Sequence, residues 1–328
     1  MTLRNFAKRV GLSVLALLGV IVVAALATAP GALVNDAPAI VPGESLDEWI
    51  AGSEASVQKL SPIIAGTEKH IAWFDPDVRG VTDTAVLYIH GFSASRGEIA
   101  PVPERVARKL GANLFETRLA GHGIRDTPLV DVKAEDWLED AAEALAIGNR
   151  IGRRVVIIAT STGATLTLAM AGRAEMDNVD AIVMISPNFA LPDPAAEILT
   201  WPGGPQFAQL TVGTMRSWTP QNELQARYWS TTYPTLALVE MMRLVKYTRG
   251  RLPIDLRADL LTLYSPDDAV VSADATIAAL ENIHAPRKLT IEILDSDDPG
   301  QHVLIGDILS PRITERTVDV IVDFLSAR

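Results

Sequence analysis

Along most of the chain, short runs of β-branched and aliphatic residues alternate with longer segments whose apolar positions recur every three or four residues. The runs predict strands at Ile71–Phe74, Ala85–Ile89, Asn113–Thr117, Arg153–Ala159, Ala181–Ser186, Leu260–Ser265 and Leu289–Leu294. The helical periodicity predicts helices at Glu98–Leu110, Ala134–Ile151, Ala164–Ala171 and Thr314–Ala327. Strands that alternate with helices imply an α/β fold: a mostly parallel, twisted sheet with helices on both faces.

The rhythm breaks in two places. Residues 30–69 are rich in Pro, Ala, Gly and polar side chains and are expected as a linker with one short helix near Ser45–Ala55, where Ser45 and Glu48 have capping-box spacing. Residues 187–256 open with Pro187 and Pro192, contain Pro202, Gly203 and Gly204, and concentrate Trp201, Trp218, Trp229, Tyr228, Tyr233, Met241, Met242 and Tyr247. This reads as an insertion. The expected organisation is an N-terminal segment 1–29, the linker 30–69, a first core part 70–186, the insertion 187–256 and a second core part 257–328.

One stretch carries candidate chemistry. The apolar run Val155 to Ile158 ends in Ala159, Thr160, Ser161, Thr162 and Gly163, and a helix-compatible segment follows. Strand, tight turn and helix around a serine have the shape of a nucleophile elbow, which lifts a serine oxygen above the sheet edge. The general pattern is Gly-x-Ser-x-Gly, and this chain has Ala159 at its first position. The plainer reading is an ordinary strand-to-helix loop with a capping serine.

Further motifs follow in a fixed order: His90, Gly91 and Phe92 after a strand, Arg118 to Gly123 containing Gly-His-Gly, the Ser161 turn, Pro266-Asp267-Asp268, and His302-Val303. Asp136, Trp137 and Asp140 sit on the helix after the Gly-His-Gly loop. In this order and spacing, over about residues 70–328, the chain resembles the α/β-hydrolase superfamily, and within it the monoacylglycerol lipase and lysophospholipase-like serine hydrolases. The resemblance implies an α/β-hydrolase fold with the insertion as a helical cap over the serine. It implies Ser161 as nucleophile, His302 as base and Asp268 as the acid that orients it, with the backbone N–H groups of Phe92 and Thr162 as oxyanion donors. Asp267 competes with Asp268; the family pattern places the acid two residues before a Val, which favours Asp268. Asp297 and Asp298 are expected to form a solvated loop. His90 and His122 are expected to brace loops near the site, and His70 and His284 to lie at the surface.

Composition narrows the alternatives. The chain has 328 residues, 48% of them apolar, which is ample for one large domain with additions. It has no cysteine, so no thiolate nucleophile or disulfide is available. No His/Cys/Asp/Glu spacing suits a metal and no Gly-rich phosphate loop occurs, so no cofactor is implied. Arg4, Lys8 and Arg9 precede the uncharged, mostly apolar stretch Val10–Ala29, and the next basic residue is Lys59. Twenty such residues as a helix span about 30 Å, the thickness of a hydrocarbon core, and secretory apolar regions are shorter. The expectation is an inner-membrane, single-pass anchor with the N-terminus in the cytoplasm and the catalytic part on the periplasmic side; the alternative is a signal peptide cleaved after Ala29. Beyond residue 29 the chain holds 26 Lys and Arg against 40 Asp and Glu. So acidic a domain repels phosphate backbones, which disfavours nucleic acid as a partner.

The resulting expectation is a serine hydrolase acting on carboxylic esters, with short-to-medium acyl or monoacylglycerol- and lysophospholipid-like substrates. A peptidase, amidase or acyltransferase with the same residues is the alternative, because a fold does not fix a substrate. A non-catalytic binding protein on this fold stands behind both.

Overall fold

The computed structural model describes Gly19 and residues 28–327. The expected anchor therefore lies outside the described residues except for Gly19, Thr28 and Ala29. Among the described residues, no helix is long and apolar enough to cross a membrane.

Seven strands form the central sheet: β1 (His70–Ala72), β2 (Thr82–Ile89), β3 (Asn113–Glu116), β4 (Gly152–Thr160), β5 (Val179–Ile185), β6 (Asp259–Tyr264) and β7 (Lys288–Glu292). Their spatial order is β1-β3-β2-β4-β5-β6-β7. Neighbours run parallel, except β1, which is antiparallel to β3. Central parallel strands are covered on both faces, and this is why β4 reads as one continuous apolar run rather than an alternation. The side chains of β2 and β4 still divide by face. Leu87, Ile89 and Ile157 enter one core with Trp137, Leu145 and Met242. Val86, Tyr88 and Ile158 enter the other with Val106, Val183 and Ile321.

The helices are α1 (Leu46–Leu60), α2 (Val102–Leu110), α3 (Ala134–Ile151), α4 (Thr162–Ala169), α5 (Gly204–Val212), α6 (Glu223–Tyr228), α7 (Thr235–Arg249), α8 (Ala273–Glu281) and α9 (Pro311–Ser326). α3 has the bounds its spacing predicts. α2 starts at Val102 rather than Glu98. Pro101 and Pro103 lack N–H groups and are tolerated only at a helix start, which leaves residues 93–101 as a loop.

Residues 30–69 differ from the expected linker. α1 runs five residues further than its predicted end, and Ser45 Oγ accepts from the Glu48 N–H at its start (3.2 Å). The segment straps the body. Asn35 donates to the Ala169 carbonyl, Arg150 donates to the carbonyls of Pro42, Gly43 and Glu44, and Trp49 Nε1 donates to Glu143 (2.7 Å). Local composition gave no sign of these partners, which are distant in sequence.

The insertion between β5 and β6 contains α5, α6, α7 and a two-stranded hairpin pairing Met215–Ser217 with Thr232–Pro234. α7 packs on α4, with Met241, Met242, Leu244 and Val245 buried, so the last part of the expected cap belongs to the body. The outer part is different: Trp201, Phe207, Leu210, Val212 and Met215 are exposed.

Candidate active site

β2 and β4 are neighbours, but the chain leaves β2 towards β3 on one side and β4 towards β5 on the other. The carboxyl ends of two such strands frame the crevice where open α/β sheets bind ligands. Ser161 follows β4 there, and His90, Gly91 and Phe92 follow β2.

The turn at Ser161 is strained, with φ 51° and ψ −118°, a region that side-chain-bearing residues avoid. Surrounding bonds hold it: its N–H donates to the Ile185 carbonyl (2.8 Å), and its carbonyl accepts from the N–H groups of Ala164 (3.0 Å) and Asn188 (3.2 Å). Gly163 is required by close approach. A Cβ there would lie 2.3 Å from the Ile89 carbonyl oxygen and 2.6 Å from that of His90. Ala159, where the general pattern has Gly, is fully buried between its register partners Ile89 and Met184. Among the described residues, neither the Phe92 nor the Thr162 N–H is taken up by a protein acceptor.

Asp268 lies in the loop after β6. Its Oδ1 accepts from the N–H groups of Val270 (2.8 Å) and Val271 (2.9 Å), and its Oδ2 meets His302 Nδ1 at 2.8 Å. Its side chain is 2% exposed, whereas Asp267 is exposed. A carboxylate only accepts, so His302 Nδ1 is the donor of this bond. Burial works against an imidazolium at His302, but the hydrogen bond and charge of Asp268, with the charges of Glu98 and Asp298, outweigh it and raise the pKa above its ordinary value.

The loop around Asp298 corrects the expectation of a solvated turn. Asp298 is buried (3% exposed), and its Oδ2 accepts from the N–H groups of His302 (3.0 Å) and Val303 (2.9 Å). Its Oδ1 accepts from Gly300 N–H and from Gln221 of the insertion. Asp297 stays outside, paired with Arg312. A carboxylate that caps unpaired backbone N–H groups is stable when buried, and sequence proximity alone could not separate the two aspartates. Ser186, after β5, donates to the His302 carbonyl (2.7 Å) and ties this loop to the sheet edge.

His90 and His122 are buried loop braces. His90 Nδ1 donates to the Gly91 carbonyl, and its Nε2 accepts from Leu119 N–H (3.1 Å). Burial holds His90 well below the usual pKa and lowers His122 to about 4, so both are neutral. Phe92, His122, Trp137 and Tyr233 meet edge to face or tilted. Trp137 donates to the Ala120 carbonyl, and Asp140 accepts from the Ala120 N–H (2.6 Å), so α3 fixes the Gly-His-Gly loop. His70 and His284 pair with Glu116 and Asp255.

The model of the alpha/beta hydrolase family matches residues 86–307, most of the chain. The chain belongs to that family. Solved structures of similar fold include one described with the metagenome-derived lipolytic enzymes LipS and LipT. It is 18% identical, with 81% of this chain and 100% of that one covered and a TM-score of 0.66. The Paleococcus ferrophilus monoacylglycerol lipase is 16% identical, with coverages of 79% and 99% and a TM-score of 0.57. A soluble variant of Saccharomyces cerevisiae monoglyceride lipase, in complex with a substrate analogue, is 14% identical, with coverages of 79% and 91% and a TM-score of 0.56. At these identities the likeness is one of fold. No curated protein sequence gives a significant match.

Two residues at this edge escaped the sequence: Asp298, and Glu98, a buried carboxyl beside Gly91. Glu98 fell inside an expected helix, and nothing in its neighbours marked it.

Proposed function

We propose that the protein is a serine hydrolase that cleaves carboxylic esters through an acyl-enzyme. One observation carries this reading: Ser161 stands on a strained turn at the switch point of the sheet, with His302 held by Asp268 at the same edge. Family membership supports hydrolytic chemistry.

In the proposed cycle Ser161 Oγ attacks the ester carbonyl and its proton passes to His302 Nε2, while Nδ1–H stays bonded to Asp268. The oxyanion is met by the N–H groups of Phe92 and Thr162, one such donor being worth about 3 kcal/mol. Collapse expels the alcohol, which takes the proton from Nε2. Water then attacks the acyl-enzyme with His302 again as base, which releases the acid and restores Ser161.

The substrate class we propose is short-to-medium acyl esters of the monoacylglycerol or lysophospholipid kind. The exposed apolar side chains of the insertion support an apolar acyl group. We also propose that residues 1–29 anchor the protein, on the hydropathy of that segment alone.

Fluorophosphonate labelling and ester turnover, in membrane and soluble fractions, test both parts. Wild type is expected to label in the membrane fraction, and Ser161→Ala to remain unlabelled with kcat lower by about 10⁴-fold or more. Labelling of Ser161→Ala overturns the nucleophile, and soluble labelled protein overturns the anchor.

A further inference from the structure

The proposed cycle leaves one buried ionisable group at the site unused. Glu98 is 2% exposed, in the loop between β2 and α2. Its Oε2 accepts two hydrogen bonds, from Gly91 N–H (2.8 Å) and Tyr88 hydroxyl (2.8 Å). Tyr88 is itself fully buried and approaches Thr160 Oγ1 at 3.4 Å, one residue before Ser161. The space between Glu98 and the serine is tight. A Cβ on Gly91 would lie 2.7 Å from Glu98 Oε1 and 3.1 Å from Ser161 Cβ.

Burying a carboxylate is costly without a counter-charge, and a neutral glutamine could accept the same two hydrogen bonds. No Lys or Arg pairs with Glu98 among the described residues. The charged group acting on it is His302, and the groups acting on His302 are Asp268, Glu98 and Asp298. Gly91, with Glu98 on one side and Ser161 on the other, sets this carboxyl beside the serine, where the imidazolium forms as Ser161 loses its proton.

We propose that Glu98 is a positioning residue of the reaction: it pins Gly91 so that the next N–H, that of Phe92, faces the oxyanion, and its carboxylate adds a further anionic neighbour to His302 beside Asp268 and Asp298. This rests on the serine-hydrolase reading. Gly91 N–H is taken up by Glu98, whereas Phe92 N–H, next in the turn, has no protein acceptor among the described residues. Burial raises the Glu98 pKa, against the Gly91 and Tyr88 hydrogen bonds and the His302 charge, which lower it.

The two roles separate by substitution. Glu98→Gln keeps the acceptor and removes the charge. Its kcat is expected to fall about tenfold with KM nearly unchanged, and the acid limb of kcat/KM to move to lower pH by about half a unit to one unit, because His302 loses an anionic neighbour. Glu98→Ala also releases Gly91, and kcat is expected to fall a further 10²-fold or so, the scale of a lost oxyanion donor. NMR titration of the His302 ring, in wild type and Glu98→Gln, reads the charge effect without turnover and decides the matter if Glu98→Ala does not fold. An unmoved acid limb and an unmoved His302 titration overturn the inference, while wild-type labelling and turnover leave the hydrolase reading intact. A wild type that neither labels nor turns over ester overturns that reading and the role of Glu98 in it.

Discussion

At the scale of single residues, adjacent identical side chains have different fates. Asp267 and Asp268 are neighbours, but only Asp268 turns inward, where two backbone N–H groups and His302 share its carboxylate. Asp268→Asn keeps the shape and reverses the hydrogen-bond logic at Nδ1, so kcat is expected to fall about 10³–10⁴-fold. Asp267→Asn, at an exposed position, is expected to stay within about twofold. Steady-state kinetics on one ester compares the pair; equal losses would remove Asp268 from its proposed role. Asp297 and Asp298 repeat the lesson in the next loop, where the buried one caps the backbone of His302 and the exposed one holds Arg312.

At the scale of elements, the elbow depends on how closely α4 approaches β2. Gly163 makes that approach possible, because the atoms facing it are backbone carbonyls that no side-chain rotation can move. Gly163→Ala should push α4 away from the sheet edge. We expect a loss of about 1–3 kcal/mol in denaturant unfolding, the range for overpacked sites, together with weaker fluorophosphonate labelling. A variant of wild-type stability would show that the contact relaxes at little cost. The elements themselves were largely legible: β4, α3 and the elbow lie where hydrophobic patterning puts them. The start of α2 was not, since helical periodicity continues through residues 98–101 and the prolines decide the boundary.

At the scale of the whole molecule, the strap of residues 30–69 joins the body through buried charges. Arg118, beside the Gly-His-Gly loop, forks onto Glu54 of α1, and Lys69 bonds Glu143 and approaches Asp140 of α3 (3.8 Å). Burial raises Asp140 from 3.8 to about 6, against the pull of Lys69 and the Ala120 N–H. A pKa raised on folding means that the native state binds this proton more tightly than the unfolded chain. Its stabilising contribution is full below pH 3.8 and is lost as pH rises through about 6. Asp140→Asn should therefore be more stable than wild type at pH 8, by an amount of order 2–3 kcal/mol, with the difference vanishing near pH 4. Thermal unfolding at both pH values checks this, and a difference independent of pH would refute it.

Sequence alone determined the strand–helix alternation, the parallel sheet, the order of the motifs and the serine turn, because periodicity and turn chemistry are local properties of the chain. Tertiary structure alone decided that Asp298 and Glu98 are buried at the site, that α7 belongs to the body, and that residues 30–69 are a strap. Each of these depends on groups brought together from far apart in the chain. Burial and hydrogen-bond partnership belong to the packed whole, and no window of neighbouring residues contains them.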